Sequence, residues 1–460
     1  MRTQTGVLFT AGFLLSALLV APLAAAENEG QADLDRAIEL KLTAESLAEW
    51  GTVIDLCQSA INKGLDKENQ DFCKQLLSST LLQRAELIGT RLLQMSPEEI
   101  GVQGAVVWRM AIKDIERSVE IDPKQAASQL WLGKLHAMQG GDRKTARKAL
   151  DQAIRLAGDD RTTKAEALRW RAQIKENLDE RLKDLSEAVE LAPQNIEILR
   201  LRGATHLAAG KADAALADFD AALAIDTDDP GAHEGRGMTL EALKRYDEAS
   251  ESYLRLGKLH AMQGGNRKTA RKALDRAIRL AGDDRATKAE ALRWRAQIRE
   301  NLDERLKDLS EAVELAPQNA EFLRLRGATH LATGNADEAL ADFDAALAID
   351  TDDPAAHEGR GMTLEALKRY DEARENYQRA AQLAPGNAIP LLQQARVSAL
   401  AGKNEQALAD FDAALAIDAK NAVAHEGRGM TLEALKRYDE ARESYGLAAE
   451  LVPGNVIPLL

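Results

Sequence analysis

The sequence predicts an all-α solenoid built from helical hairpins. Three observations carry that prediction: long stretches return at fixed offsets, apolar residues recur at helical spacing, and the composition is that of helices. Of 460 residues, 45% are hydrophobic and 29% charged, which fits a folded chain; aromatics are only 4% and prolines number 11. Ala, Leu, Glu, Arg and Lys, strong helix formers, are plentiful. The net charge is −14. An acidic surface repels phosphate backbones and anionic membranes, which argues against nucleic-acid partners. It also keeps an extended array soluble.

The first element is a leader. One early charge, Arg2, precedes an apolar run from Val7 to Val20, and Ala24, Ala25 and Ala26 stand before Glu27. That is the pattern of a secretory signal peptide, residues 1–26. The apolar run is short for a bilayer-spanning helix, which needs about 20 residues. No cysteine follows it for lipid anchoring. The expectation is an exported chain, periplasmic or extracellular, without stable membrane insertion once the leader is cleaved.

Residues 27–127 come next. "QADLDRAIELKLTAES", "LAEWGTVIDLCQSAINKG", "ENQDFCKQLLSSTLLQRAELIGTRLL" and "AVVWRMAIKDIERSVEIDP" each read as a helix. Together they make two divergent hairpins that would cap an array, since stacked repeats need terminal units with a more polar outer face.

From 128 the repeats are explicit. Residues 132–229 return at 256–353, shifted by 124, with nine differences, Asp142/Asn266, Gln152/Arg276 and Ile198/Phe322 among them. A second shift, of 68, relates Phe343 to Phe411, Tyr377 to Tyr445 and Pro385 to Pro453. Cut at 34, blocks begin near 128, 162 and 196, and again near 252, 286, 320, 354, 388 and 422; the block at 230 has only 22 residues. This divides the array into a first unit, 128–251, and a longer second part, 252–455. A remnant, 456–460, repeats the start of the block at 388 and would either pack over the last hairpin or support self-association.

Each block reads as two helices. In "AEFLRLRGATHLATGNADEALADFDAALAID", from Ala320, the residues Phe322, Leu325, Ala328 and Thr329 share one face, as do Ala339, Phe343, Ala346 and Leu347. Gly334 stops the first helix, and Pro354 suits the first turn of the following block. Block 354–387 carries Gly361, Ala373, Tyr377, Ala380 and Pro385; block 422–455 carries Gly429, Ala441, Tyr445, Ala448 and Pro453. This small–Ala–aromatic–Ala–Pro spacing resembles the tetratricopeptide repeat family, in its exported bacterial form. Two departures stand out: Thr351 in place of the usual proline, and His357 and His425 where the family often has tryptophan. The resemblance implies a right-handed superhelix whose first helices line a concave, partner-binding groove.

The short block raises its own expectation. "YDEASESYLRLGKLHAMQGG", 246–265, opens as a second helix and closes as a first helix, with the Pro-Gly turn missing between. Gly257 costs about 1 kcal/mol inside a helix, too little to stop one. One continuous helix over about 246–263 is therefore expected, first as the partner of 231–243 and then of 267–281.

Candidate chemistry is sparse. Seven histidines recur with their repeats and are spread along the array, and no pair has metal-ligand spacing on one helix. "DTDDP" at 226–230 and 350–354 lacks the glycine and distal glutamate of a calcium loop and reads as a helix-capping turn. "RKTARK" at 143–148 and 267–272 puts four cations on one face, either solvated or able to dock an acidic segment. Cys57 and Cys73 flank the turn at Leu65 symmetrically, so an oxidising compartment could join them; two buried thiols is the other reading. No catalytic constellation, metal site or cofactor motif is present.

Some proteins of the resembled family clamp C-terminal carboxylates with Lys, Asn and Arg on the first helices. The corresponding positions here carry Glu234, Met238, Arg324, Glu358, Met362, Arg396, Glu426 and Met430, so that ligand class is disfavoured. The resemblance implies a non-enzymatic scaffold that binds a protein or peptide along a groove of mixed charge and adaptable methionines. The alternative is an assembly or export accessory factor of an envelope complex, in polysaccharide or outer-membrane machinery.

The leader reading makes the first prediction. Protein recovered from the producing cell should begin at Glu27 by intact-mass measurement. A recovered chain still starting at Met1 would contradict it.

Overall fold

The computed structural model describes residues 29–95, 97–138, 140–262 and 265–452. The expected leader, 1–26, the remnant, 456–460, and position 263 of the expected long helix lie outside them. Among the described residues the regular structure is helical throughout.

The chain divides after Ile198 into two compact units. The first holds α1 (Glu29–Thr43), α2 (Leu47–Lys63), α3 (Lys67–Gln94), α4 (Pro97–Ile121), α5 (Ala126–Ala137), α6 (Arg143–Leu156), α7 (Arg161–Ile174) and α8 (Leu178–Leu191). The second opens within α9 (Ile196–Ala208) and continues with α10 (Ala212–Ile225), α11 (Pro230–Ala242), α12 (Tyr246–Met262), α13 (Arg267–Leu280), α14 (Arg285–Ile298), α15 (Leu302–Leu315) and α16 (Ala320–Ala332). It ends with α17 (Ala336–Ile349), α18 (Pro354–Ala366), α19 (Tyr370–Leu383), α20 (Ile389–Leu400), α21 (Asn404–Ile417), α22 (Ala422–Ala434) and α23 (Tyr438–Leu451). From α1 to α8, and again from α10 to α23, each helix packs on its neighbour in sequence. This is an all-α fold of stacked helical hairpins.

Local chemistry sets the helix ends. Ser46 and Glu49 form a capping box at α2: Glu49 N donates to Ser46 Oγ at 3.2 Å, and Ser46 N donates to Glu49 Oε2 at 2.8 Å. Asp229 and Asp353, from the acidic turns, cap α11 and α18, accepting from Ala232 N at 2.6 Å and Ala355 N at 2.8 Å. Pro230 and Pro354 then occupy the first helical turn, where a missing N–H costs nothing. Asp142 caps α6 and Asn266 caps α13, so that difference between the two copies preserves the cap.

Small residues bring the helices together around rings. Phe343 on α17 is fully buried between two glycines: a Cβ on Gly327 of α16 would stand 3.3 Å from the ring, and one on Gly359 of α18 only 2.4 Å. Phe219 sits in the same way between Gly203 and Gly235, and Phe411 closes on Gly427. Tyr253, Tyr377 and Tyr445 pack on Gly237, Gly361 and Gly429 within their own hairpins. The ring fills the space that the glycine leaves open.

α12 runs without interruption from Tyr246 to Met262. Its first half belongs to one hairpin, with Tyr253 against Gly237 of α11. Its second half opens another. Gly257 faces α13, where a Cβ would stand 2.6 Å from Leu274 Cγ, and the helix also packs on α14. In the equivalent α5–α6 pair a Cβ on Gly133 would stand 2.5 Å from Leu150 Cγ. Arg276 of α13, which replaces Gln152 of the other copy, reaches Glu241 of α11 at 2.5 Å and stacks over the Tyr253 ring at 4.7 Å. That substitution suits the fused helix, because only there does this helix meet such a tyrosine and glutamate.

Cys57 on α2 and Cys73 on α3 are fully buried and are free thiols in the structure. The Cys73 Sγ donates to the Cys57 carbonyl at 3.4 Å.

Gly257→Ala sets two effects against each other. Alanine favours helix by about 1 kcal/mol, while overpacking a filled core costs roughly 1–3 kcal/mol. Leu274 is fully buried and cannot yield, so the clash wins. The variant should melt several degrees lower; a higher melting temperature would show that α12 and α13 do not approach this closely.

Candidate partner-binding groove

The eight residues singled out from the sequence lie on the opening helices of four hairpins and on α11. Glu234 and Met238 are on α11, Arg324 on α16, Glu358 and Met362 on α18, Arg396 on α20, and Glu426 and Met430 on α22. The three methionines stand open, with Met238, Met362 and Met430 exposed by 43%, 45% and 61%. A flexible, polarisable methionine side chain adapts readily to an apolar partner surface.

The arginines have internal work. Arg324 Nε pairs with the Asp353 carboxylate at 3.1 Å, tying α16 to the cap of α18; Arg200 does the same with Asp229 at 3.1 Å. Arg396 takes Glu365 at 2.5 Å and also donates to Gln393. The Tyr377 hydroxyl donates to the same Glu365 at 3.2 Å, and Tyr445 to Glu433 at 3.1 Å. Neither arginine is therefore a free cation waiting for a ligand.

The glutamates are different. Glu234, Glu358 and Glu426 have no hydrogen-bond or ion-pair partner among the described residues, although their repeats place them one turn before the exposed methionines. Burial alone pushes the Glu358 carboxyl above its ordinary range. These carboxylates carry no partner within the described residues and recur at the same repeat position.

Three of the eight come together around one cavity. Arg396, Glu426 and Met430 line a space of about 650 Å³ between α20 and α22, with Ile389, Leu392, Leu400, Phe411 and Val423. The sequence reading missed the five apolar members. Four of them, Ile389, Leu392, Leu400 and Val423, can be found by asking what the 68-residue shift changes on the groove side; Phe411 is kept from Phe343. A second space, about 410 Å³ against α14 and α16, is lined by Arg293, Arg305, Glu321 and Leu325 among others and is more polar.

The other sequence candidates are structural or solvated. His233, His357 and His425 place Nε2 at 2.9, 3.0 and 3.1 Å from the carbonyls of Thr227, Thr351 and Ala419, holding the turn before each helix. No three potential ligands gather for a metal among the described residues. Asp228 and Asp352 pair with Arg255 on α12 and Arg379 on α19 at 2.5 and 2.7 Å, so the acidic turns spend their charge within the hairpin that follows them. Lys144, Arg147, Lys148, Lys268, Arg271 and Lys272 are exposed.

Two networks escaped the sequence reading. Glu166 accepts from Lys134 at 2.8 Å, Arg169 at 2.8 Å and Trp170 Nε1 at 3.1 Å. Burial opposes its ionisation, but Arg169 and Lys134 outweigh burial and hold the carboxyl down at about 2. Glu290 repeats the arrangement with Lys258, Arg293 and Trp294. These pairings depend on side chains from neighbouring hairpins, which periodicity alone does not register.

Tetratricopeptide repeat profiles match residues 176–230, 200–258, 251–283, 300–354, 354–387 and 392–456. The chain belongs to the tetratricopeptide repeat family. This tetratricopeptide repeat protein is 28% identical over 293 residues to a DnaJ homolog subfamily C member 7 homolog of Schizosaccharomyces pombe, covering 59% of this chain and 60% of that protein. It is 25% identical over 256 residues to superkiller complex protein 3 of Mus musculus, covering 51% of this chain and 16% of that protein. It therefore spans less than two thirds of the first relative and about a sixth of the second. Among solved structures, MamA is similar over 33% of this chain and 88% of its own, at 21% identity and a TM-score of 0.32. MamA from Desulfovibrio magneticus RS-1 is similar over 38% and 98%, at 20% identity and a TM-score of 0.36. The fold and the family together are those of a protein-interaction scaffold.

The raised Glu358 pKa fixes a sign. Between its ordinary value of 4.5 and the raised one, the folded state binds more proton than the unfolded state, so stability falls as pH rises through that window. Glu358→Gln removes the effect. Relative to wild type, the variant should gain stability from about pH 4 to pH 7, by less than about 1 kcal/mol because the group is partly solvated. Thermal melts across that range check it; a loss of stability in the variant would mean that Glu358 has a partner.

Proposed function

We propose that this chain is an exported, non-enzymatic scaffold that holds a segment of a partner protein along the opening helices of its hairpins. The leader pattern at 1–26 supports export to the periplasm or beyond the cell. The observation that carries the binding role is the recurring pair of a free glutamate and an open methionine: Glu234 with Met238, Glu358 with Met362, Glu426 with Met430. The buried core and the ion pairs do not need these residues. A surface that repeats an apolar and an anionic contact at three of its hairpins suits an extended or helical protein segment better than a compact small molecule. The acidic balance of the chain supports a protein partner over nucleic acid.

A narrower form of the reading is an accessory factor in the assembly or export of an envelope complex. Recovery of one stable complex of fixed composition would select it over a general scaffold.

A photo-crosslinker placed at Met362, compared with one at Glu375 on the outer helix α19, tests the groove directly. Partner adducts should form from Met362 and not from Glu375. Equal labelling from both positions, or none from Met362 while Glu375 labels, would remove the groove from the reading.

A further inference from the structure

The internal copies provide a control that most repeat proteins lack. The 68-residue shift places the α20–α22 cavity on the equivalent surface of α16 and α18, so the two can be compared position by position. Four positions become more aliphatic, while Leu325 becomes Gln393 and Ala328 becomes Arg396, which Glu365 neutralises. Glu321 becomes Ile389, Arg324 becomes Leu392, Ala332 becomes Leu400, and Ala355 becomes Val423. Asp353, the acceptor of Arg324, becomes Asn421, so the ion pair across the α16 surface disappears together with its cation. The hairpin core keeps its pattern meanwhile: Phe343 and Phe411, Tyr377 and Tyr445, Gly361 and Gly429 are retained.

The result is a surface that folding does not account for. Ile389, Leu400, Val423 and Met430 are exposed by 51%, 53%, 68% and 61%, and they surround a space of about 650 Å³. That volume is within the roughly 300–1,000 Å³ of built ligand sites. Adding large aliphatic side chains to a solvated surface carries a solubility cost and gains nothing unless something covers them. The charges at the cavity decide what covers it. Arg396 is neutralised by Glu365, while Glu426 has no partner. The free charge is thus a single carboxylate in a protein of net charge −14.

We propose that the α20–α22 cavity is the selective subsite of the groove and takes a segment of a partner protein carrying two or three aliphatic side chains with a lysine or arginine beside them. This rests on the groove reading above. The aliphatic side chains enter between Leu392, Leu400, Val423 and Met430, and the cation meets Glu426. The equivalent α16–α18 surface, with Glu321 and the Arg324–Asp353 pair, does not bind such a segment tightly.

The test uses the mature chain and two labelled synthetic peptides of equal length and leucine content, one with lysine and one with glutamate at the remaining positions. The key variant copies the sister surface: Ile389→Glu, Leu392→Arg, Leu400→Ala, Asn421→Asp and Val423→Ala, all residues that the same fold already accommodates 68 positions earlier. Fluorescence anisotropy should show the leucine–lysine peptide binding the wild type and losing about ten-fold or more in affinity to the sister-surface variant, at a melting temperature close to wild type. Glu426→Gln should weaken the same peptide and narrow its margin over the leucine–glutamate peptide. Unchanged affinity in the sister-surface variant would overturn the subsite; if Met362→Lys still abolished that binding, the groove would stand and only this selector would fall. Equal binding of the two peptides would overturn the charge assignment. A wild-type dimer in sedimentation that becomes monomeric in the sister-surface variant would give the cavity to a second copy and overturn the proposal.

Discussion

An aromatic ring closed between two glycines holds successive hairpins of the second unit together. Phe343 touches Gly327 in its own hairpin and Gly359 in the next, so one side chain makes both the internal contact and the stacking contact. Replacing such a ring by alanine costs on the order of 3–5 kcal/mol. Few neighbours could relax into the gap, because the helices already meet at their backbones. This requirement explains why the 34-residue spacing is kept so strictly. Insert one residue and the ring faces the wrong helix. The fused α12 keeps the rule in altered form, offering Tyr253 to one glycine and Gly257 to Leu274, and it does so within a single uninterrupted helix.

Charge is the second constraint, and it explains which residues are left over for binding. In two hairpins a buried aspartate crosses to an arginine: Asp218 to Arg202 at 2.5 Å and Asp342 to Arg326 at 2.6 Å. Such pairs contribute little net stability, but removing one partner is costly because it strands the other. α20 shows the consequence. Gln394 stands where the other hairpins have arginine, and Asp410 keeps a hydrogen bond to it at 2.7 Å with only a longer contact to Arg374, at 3.4 Å. Burial accordingly raises the Asp410 pKa. Most arginines near the groove are consumed in this way. The groove's anions are not, so its chemistry is that of aliphatic surface and carboxylate, although its composition includes arginine.

Much of the fold was legible because repetition writes it several times. The period, the hairpin turn at Gly334 and the caps at Asp229 and Asp353 follow from residues whose backbone preferences are strong. Other features were not legible. Lys244, Lys368 and Lys436 adopt φ of about +60°, the left-handed conformation, at the position where other hairpins place Gly210, Gly334 or Gly402. Lysine has no preference for that conformation. It is imposed by the Schellman-type closure, in which Arg369 N bonds the Leu364 carbonyl at 2.8 Å. The site was half legible. Single residues such as Met430 could be named, but the cavity exists only where α20 and α22 lie side by side, and that proximity cannot be read from either helix alone.

The two kinds of repetition differ in what they vary. Between the copies 124 residues apart, several differences leave the chemistry intact. Asp142 and Asn266 both cap, Ile198 and Phe322 are both buried, and Lys175 and Arg299 reach Asp184 and Asp308 at 2.8 and 2.6 Å. Gln152 to Arg276 changes chemistry, but in answer to the fused helix. Such copies present nearly the same surface twice. Between the copies 68 residues apart, the aromatic rings of the core are kept while one stretch of surface exchanges Glu321 and the Arg324–Asp353 pair for aliphatic side chains. A duplicated hairpin is free to change its surface because the ring, here Phe411 against Gly427, still secures the stacking. In this protein the freedom was used on α20 and the start of α22, and that is where the array ceases to be redundant.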